Sequence, residues 1–444
     1  MLPRLCRQLL TIEWLILLLI LPFAVFPTPE RLWLLLLIPL LWLVRWVGYG
    51  RPFTRTPLDW PVWGLLLMTA VGFAVSDDRL YSLPKVTGLV YGTAVFYAAA
   101  AYTQAPPRRL WWLVAALLTG GLIVVGIALF AVRWTSKFAQ LDAMLAYTPA
   151  RLLEVTPGEA GISPNEVAGV LLWVLPLAVV LSLAILRYPR ALWRELGGLS
   201  LVAALFVWAA TLMILAVLVL TQSRAGLLGL AAGLGVMVLL AVARLRWWLA
   251  VGLVLVGMGA ATAVWTAYAP EITAVLVEQS GERSIETMQG RLEIWERAIT
   301  GLHEFPLAGM GINRFRVLVF DYYPTYFLSG DSDFAHAHNH LLQAGLDLGL
   351  PGLIFYAALW LGAAALAWLA WRQGATVWRR SLALGILCAL AAYFAYGLVD
   401  AVALGAKPGF IFWLLLGLTA VLHGTPPGGE ALAESVSAKA SPPG

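Results

Sequence analysis

The chain has 444 residues, of which 61% are hydrophobic and only 12% charged, and its mean hydropathy of +0.84 is too high for a water-soluble globular domain. A formal net charge of +5 is accounted for by arginines in short loops and requires no nucleic-acid partner, and two cysteines exclude a disulfide framework. What remains is a membrane protein.

Apolar runs near the length needed to cross a hydrocarbon core recur along the whole chain. About twelve spans are predicted, at 9–26, 32–47, 58–75, 85–101, 110–132, 166–186, 199–220, 225–242, 247–267, 350–371, 381–399 and 409–422. The first run follows Arg4 and Arg7 as a secretory signal would. It is long, lacks a small-residue cleavage site and is followed by further spans, so it reads as a first transmembrane helix. The expected fold is an all-α polytopic membrane protein. Its parts are spans within 1–267, an outer loop with short surface helices at 268–349, the last spans within 350–423, and a disordered cytoplasmic tail at 424–444 that is rich in Pro, Gly, Ala and Ser.

Arginines decide the orientation. Arg4 and Arg7; Arg45, Arg51 and Arg55; Arg108 and Arg109; Arg187, Arg190 and Arg194; Arg244 and Arg246; and Arg372, Arg379 and Arg380 occupy the N-terminus and every second loop. The alternate loops are poorer in cations, so the positive-inside rule puts both termini in the cytoplasm and the long polar stretch outside. The 21 tryptophans cluster near span ends, as an aromatic belt does.

Span interiors are nearly free of charge, with Glu13, Glu166 and Asp400 near ends. An ion-coupled carrier places carboxylates or histidines midway through its helices, so transport is disfavoured and any chemistry belongs on the outer face. There, Phe334-Ala335-His336-Ala337-His338-Asn339-His340 holds three of the five histidines. Histidine is the side chain best matched to proton transfer near neutral pH. A metal reading stays open beside it: His336 and His340 at i, i+4 would share a helix face with Asp331 and Asp333 nearby, a set suited to zinc or manganese. Asp331-Ser332-Asp333 also resembles the paired acids of metal-dependent glycosyltransferases.

Thr221-Gln222-Ser223-Arg224-Ala225-Gly226 forms a tight outer turn in which Ser223 caps the next helix. Free N–H groups beside the Arg224 guanidinium suit a phosphate, and a snorkelling interfacial arginine is the plainer alternative. Gly290 to Leu302 has helical periodicity with Leu292, Trp295, Ile299 and Leu302 on one face, suited to the membrane surface, and Pro306 ends it. Arg291 opposes the helix dipole in its first turn, which a bound anion or an ion pair with Glu286 would explain. Ser76-Asp77-Asp78-Arg79 precedes Lys85 at the outer start of its span, and Ser163-Pro164-Asn165-Glu166 opens another, with Asn165 a candidate N-cap.

In order along the chain, Ser163-Pro164-Asn165-Glu166, Ser223-Arg224-Ala225-Gly226, Gly290-Arg291 with Trp295, Pro306-Leu307 with Gly309 and Gly311, and His338-Asn339 followed after nine residues by Gly349 resemble the blocks of the O-antigen ligase and O-antigen polymerase superfamily of bacterial membrane glycosyltransferases. The similarity covers about 161–352 and implies a GT-C-like arrangement of the helices. The resemblance implies transfer of a glycan from an undecaprenyl-diphosphate carrier to an acceptor hydroxyl, on lipid A core or a similar lipid or glycan, at the outer face of the bacterial cytoplasmic membrane. It implies inversion at the anomeric carbon, with no metal, cofactor or nucleotide sugar. It assigns His338, Arg224 and Arg291 as catalytic residues and Lys85, with Asn339 and Asn165, as substrate-binding. Polymerisation of repeat units and glycosylation of a protein remain alternatives within the superfamily, and an anion or lipid transporter is the alternative outside it. Reporter fusions after Arg194 are expected to report the cytoplasm and fusions after Gly330 the exterior; the same location for both would refute the orientation.

Overall fold

A computed structural model describes residues 2–101, 107–132, 134, 162–278, 288–328 and 336–423. Among the described residues the chain is built from α-helices, with short 3₁₀ turns and a single isolated β-bridge between Val132 and Ile162. In chain order the helices are α1 Leu2–Leu9, α2 Glu13–Val25, α3 Leu37–Tyr49, α4 Asp59–Ala74, α5 Arg79–Ala100, α6 Pro107–Ala131, α7 Pro164–Leu171, α8 Leu175–Arg187, α9 Pro189–Leu196, α10 Ser200–Leu220, α11 Arg224–Leu245, α12 Trp247–Glu278, α13 Met288–Glu304, α14 Phe315–Tyr322, α15 His340–Gln373, α16 Val377–Gly397 and α17 Phe410–His423.

The protein is an all-α polytopic membrane protein. Among the described residues, seven helical stretches are long and apolar enough to cross a membrane: Leu2–Val25, Pro29–Tyr49, Leu110–Ala131, Pro189–Leu220, Arg224–Leu245, His340–Gln373 and Val377–Gly397. The pair α7 and α8, bent by 42°, makes an eighth. Helices also stand at the remaining predicted positions, but Asp59–Ala74, Trp247–Ala260 and Lys407–His423 are shorter apolar segments. The tail from 424 onwards and Asp331-Ser332-Asp333 lie outside the described residues.

Two predicted spans differ in shape. The one expected over 166–186 is broken between Leu171 and Leu175, because Pro176 has no N–H to offer the carbonyl of Leu172. The one expected from residue 350 belongs to a longer helix that begins at His340 and is kinked at Gly349, with φ 70° and ψ 179°. The backbone groups freed at that kink are satisfied from outside the helix. Met310 N–H donates to the Leu346 carbonyl at 2.8 Å, and Leu350 N–H donates to the Pro306 carbonyl at 2.6 Å.

The bundle core lies along α16, which packs against α8, α11 and α15, while α17 packs against α5 and α6. Small residues permit the close approaches. Gly229 and Gly233 of α11 face the carbonyls of Ala392 and Cys388, and Gly169 of α7 faces the Tyr396 ring. Near the N-terminus the Glu13 carboxylate accepts a hydrogen bond from the buried Arg45, so two charges at helix depth neutralise each other.

A second, smaller core sits over one end of the bundle, where Ile294 and Ala298 of α13, Phe315 and Val319 of α14, and Met310, Tyr323, Leu328, Ala337 and Leu346 are buried together. The inward face of α13 is therefore Ile294–Ala298–Gly301, and Leu292 and Ile299 of the predicted apolar stripe remain exposed. Ser82 Oγ donates to the Ile312 carbonyl at 2.7 Å, and Arg314 forks onto both oxygens of Asp77 at 2.5 and 2.7 Å, tying this layer to the start of α5.

Gly349 occupies the left-handed region with the Leu307 carbonyl 2.4 Å from where a Cβ would stand. Gly349→Ala is expected to cost about 2–4 kcal/mol, from left-handed strain plus overpacking. A purified variant melting at the wild-type temperature would contradict this account.

Candidate functional site

The histidine loop is positioned at its central residue. Ala337 N–H donates to Gln343 Oε1 at 2.8 Å, and Trp295 Nε1 of α13 donates to the Ala337 carbonyl at 3.0 Å. Gln343 Nε2 in turn donates to Asp347 Oδ1 at 2.9 Å, the oxygen that also accepts the Asn313 N–H at 2.9 Å. With Ala337 clamped from both sides, His336 and His338 are thrown to the same side, their ring centroids 4.6 Å apart. His338 adopts φ +48°, a conformation costly for a residue with a Cβ and found where surrounding contacts over-determine it.

Both rings meet Asp400, which follows the last turn of α16. His338 Nδ1 lies 3.1 Å from Asp400 Oδ1, and His336 Nε2 lies 3.8 Å from the same oxygen. Arg291 of α13 approaches the other oxygen at 3.7 Å. The Asp400 side chain is 2% exposed, whereas those of His338 and Arg291 retain 13% each. Burial by itself raises the Asp400 pKa. His338, His336 and Arg291 outweigh that effect and hold the carboxyl well below the usual range, so it is ionised.

The hydrogen bonds set the tautomers. His338 N–H donates to His336 Nδ1 at 3.2 Å, so in the neutral ring the proton of His336 sits on Nε2, facing Asp400. Burial lowers the His336 pKa to about 3, with His338 adding to the effect and Asp400 opposing it. His336 is therefore neutral at physiological pH. An ionised Asp400 takes the proton on His338 Nδ1 and leaves Nε2 with its lone pair, the arrangement of a general base oriented by a carboxylate.

The other residues expected at the site fall as follows. Arg224 is exposed at the first position of α11, whose start is capped by Ser223 Oγ accepting the Gly226 N–H at 3.1 Å. That end of α11 packs against Ala168 of α7, and Gly229 one turn further meets Tyr396. Tyr396 donates its hydroxyl to the Asn165 carbonyl at 2.8 Å, and its own carbonyl accepts the Asp400 N–H at 3.0 Å. The segments carrying Arg224, Asn165 and Asp400 thus converge on Tyr396. Lys85 lies in α5, its carbonyl against Gly405, and its charge is felt by Glu166, Asp347 and His336.

The structure also defines the caps and contacts around these residues. Asn165 is not the N-cap: Ser163 is, its Oγ accepting the Asn165 N–H at 3.3 Å, because Pro164 takes the first helical position. Asn339 caps α15, Oδ1 accepting from Leu341 and Leu342 and Nδ2 donating to the Leu398 carbonyl at 3.0 Å. His336 and His340 do not share a helix face, since α15 begins only at His340. His340 is buried, bonded through Nδ1 to the Tyr356 hydroxyl at 2.9 Å and surrounded by the rings of Trp360, Tyr393 and Phe394. Glu286 lies outside the described residues, and the ion pair of Arg291 is with Asp400. Among the described residues, His336, His338 and Asp400 are close enough together to hold a metal ion, with ligand atoms within 4.8 Å of one another.

Residues 209–357 match the family model described as O-antigen ligase. Over that segment the chain is similar to O-antigen ligases. The matched segment contains the start of α11, the whole of α13 and α14, and the histidine loop with the kink of α15. Asp400 lies beyond it. No curated protein matches the chain.

Because folded His336 holds its proton only below about pH 3 while an unfolded histidine does so below about 6.5, the unfolded state binds more protons across that window. Stability should therefore fall as pH drops below 6.5, by about 2 kcal/mol at pH 5 from this residue. Thermal melts of wild type and His336→Asn between pH 7.5 and 5 test this; equal slopes in the two would exclude His336 as the cause.

Proposed function

We propose that this protein is an O-antigen-ligase-like glycosyltransferase that moves a glycan from undecaprenyl diphosphate to an acceptor hydroxyl on the outer face of the cytoplasmic membrane, with inversion and without metal. The observation carrying this reading is the meeting of His338, Asp400 and Arg291 at one point, inside a chain of membrane-spanning helices that includes an O-antigen ligase family domain.

In this scheme the acceptor hydroxyl approaches His338 Nε2, which takes its proton as the oxygen attacks the anomeric carbon. Asp400 holds the ring in that tautomer and stabilises the imidazolium that forms. The bond to the diphosphate breaks on the opposite face of the sugar, so the new linkage has inverted configuration. Arg291 is suited to the leaving diphosphate: its contact with Asp400 is an ion pair at 3.7 Å rather than a hydrogen bond, and its Nε has no hydrogen-bond partner among the described residues. Arg224, at the helix start that packs beside Asn165 and Tyr396, and Lys85 supply the remaining positive charge. Lipid A core or a related lipid or glycan is the acceptor class. Repeat-unit polymerisation and protein O-glycosylation use the same donor chemistry and differ only in the hydroxyl presented.

The His336–His338–Asp400 cluster also supports a second reading, a divalent-metal centre. Arg291 beside the same carboxylate favours proton transfer, since a guanidinium and a divalent cation would repel each other there. A chelator is expected to leave transfer unchanged, and its abolition of transfer would establish the metal reading.

With purified protein, undecaprenyl-diphosphate glycan and a panel of acceptors, His338→Ala is expected to abolish transfer. Arg224→Ala and Arg291→Ala should each lose on the order of 10²–10³ in rate. Asp400→Asn, which keeps the shape but lets the ring choose the wrong tautomer, should lose about 10³–10⁴. Wild-type transfer by any of the four, with the protein still inserted and purified, removes that residue from the mechanism.

A further inference from the structure

The far end of the bundle carries a second polar construction. Helices α11 and α15 both start at the histidine end, so Leu245 and Gln373 mark the opposite end. There Arg244 folds back onto α15, its Cζ 4.2 Å from the Trp371 ring centroid and its guanidinium donating to the Trp371 carbonyl at 3.2 Å. Arg372 lies over Trp368 at 5.8 Å. The turn at Gly374 brings the Arg380 Cγ to 2.9 Å from where a glycine Cβ would stand, so the start of α16 adds a third guanidinium. The charges of Arg380 and Arg372 both act on Arg244.

Three guanidinium groups gathered in this way attract an anion. Among the described residues no carboxylate pairs with Arg244, Arg372 or Arg380, whereas neighbouring Arg379 lies in the field of Glu195. A recess of about 300 Å³ opens between the helices, lined by Leu240, Ala243, Arg244, Trp368, Trp371 and Arg372. A snorkelling arginine would extend away from its helix into water. Arg244 is instead stacked and hydrogen-bonded against a buried tryptophan, which holds its remaining donors at the recess.

We propose that this recess binds the headgroup of an anionic phospholipid, its phosphodiester held between Arg244 and Arg372 and its acyl chains lying in the bilayer. Guanidinium groups recognise phosphate through two parallel N–H bonds, and stacking on indole keeps them planar and weakly hydrated. Four of the six lining residues are apolar or aromatic, which suits a ligand anchored in hydrocarbon better than a free ion, and basic pockets between helices at the cytoplasmic boundary are lipid sites in general. The positive-inside pattern puts this end at the inner leaflet. The site is independent of the transfer chemistry proposed above.

The test uses the full-length protein, purified and delipidated in detergent, with melting temperature followed against added phosphatidylglycerol, phosphatidylcholine or inorganic phosphate. Phosphatidylglycerol should raise the melting temperature while the other two do not. Arg372→Gln should weaken apparent lipid affinity about fivefold, and the Arg244→Gln, Arg372→Gln double variant roughly 25-fold, with Arg4→Gln unchanged. An equal shift with phosphatidylcholine, a shift with phosphate alone, or undiminished affinity in either variant overturns the proposal; the single variant decides if the double one does not purify.

Discussion

A carboxylate withdrawn from water is the constraint on which this architecture turns. Asp400 is 2% exposed, and an isolated charge at that burial would be neutralised by protonation. It stays ionised because two imidazoles and a guanidinium face it from two other parts of the chain. That mutual dependence fixes the end of α16, the first turn of α13 and the loop before α15 against one another. Loss of Arg291 leaves the carboxylate without its cation, and loss of Asp400 leaves the guanidinium and both imidazoles without their common partner, so the cluster behaves as a unit rather than as three separable contacts.

Holding an imidazole at φ +48° requires support beyond the cluster. It comes from a relay of neutral hydrogen bonds running from Asn313 through Asp347 and Gln343 to Ala337, with Trp295 closing the other side. The relay is anchored where the Pro306–Gly311 turn docks on the kink of α15. Gly309 meets the Leu346 carbonyl and Gly349 meets the Leu307 carbonyl at distances no side chain tolerates. The interval from His338 to Gly349 thus has a geometric meaning: it spans the start of a helix and the kink that receives the turn.

Much of this was legible in the sequence, and the divide between what was and what was not is physical. Hydropathy located helices because burial in lipid acts on runs of residues. The blocks around Arg224, Arg291, Pro306 and His338 were visible because their chemistry is compressed into short stretches. Asp400 was noted only as a charge near a span end, since its partner His338 is 62 residues away and nothing local to Val399-Asp400-Ala401 advertises the pairing. Nothing in the sequence singles out Gln343 and Asp347, whose role depends on contact with Asn313 and Ala337. His340 drew attention as a ligand in a cluster of three, yet the onset of the helix turns it into an aromatic box with Tyr356, Trp360 and Tyr393. Composition identified the histidines, but only backbone geometry separates those that face Asp400 from the one that packs.

The helical break at Gly349 and the one before Leu175 complete the picture, because each delivers unsatisfied or tightly approached backbone to the same end of the bundle. An unbroken α15 would carry its first two turns along the bundle axis and would have no free N–H at Leu350 for Pro306 to bind. An unbroken α7–α8 helix would change the course of α7, where Gly169 receives the Tyr396 ring and the Asn165 carbonyl accepts its hydroxyl. Lipid-exposed helices cannot be interrupted without leaving polar groups in hydrocarbon, so interruptions are tolerated only where protein re-satisfies them. At the Gly349 kink the Met310 N–H and the Pro306 carbonyl do so, and at the other break Trp173 packs on the Tyr393 ring of α16. The irregular backbone is therefore concentrated where charged side chains need to converge.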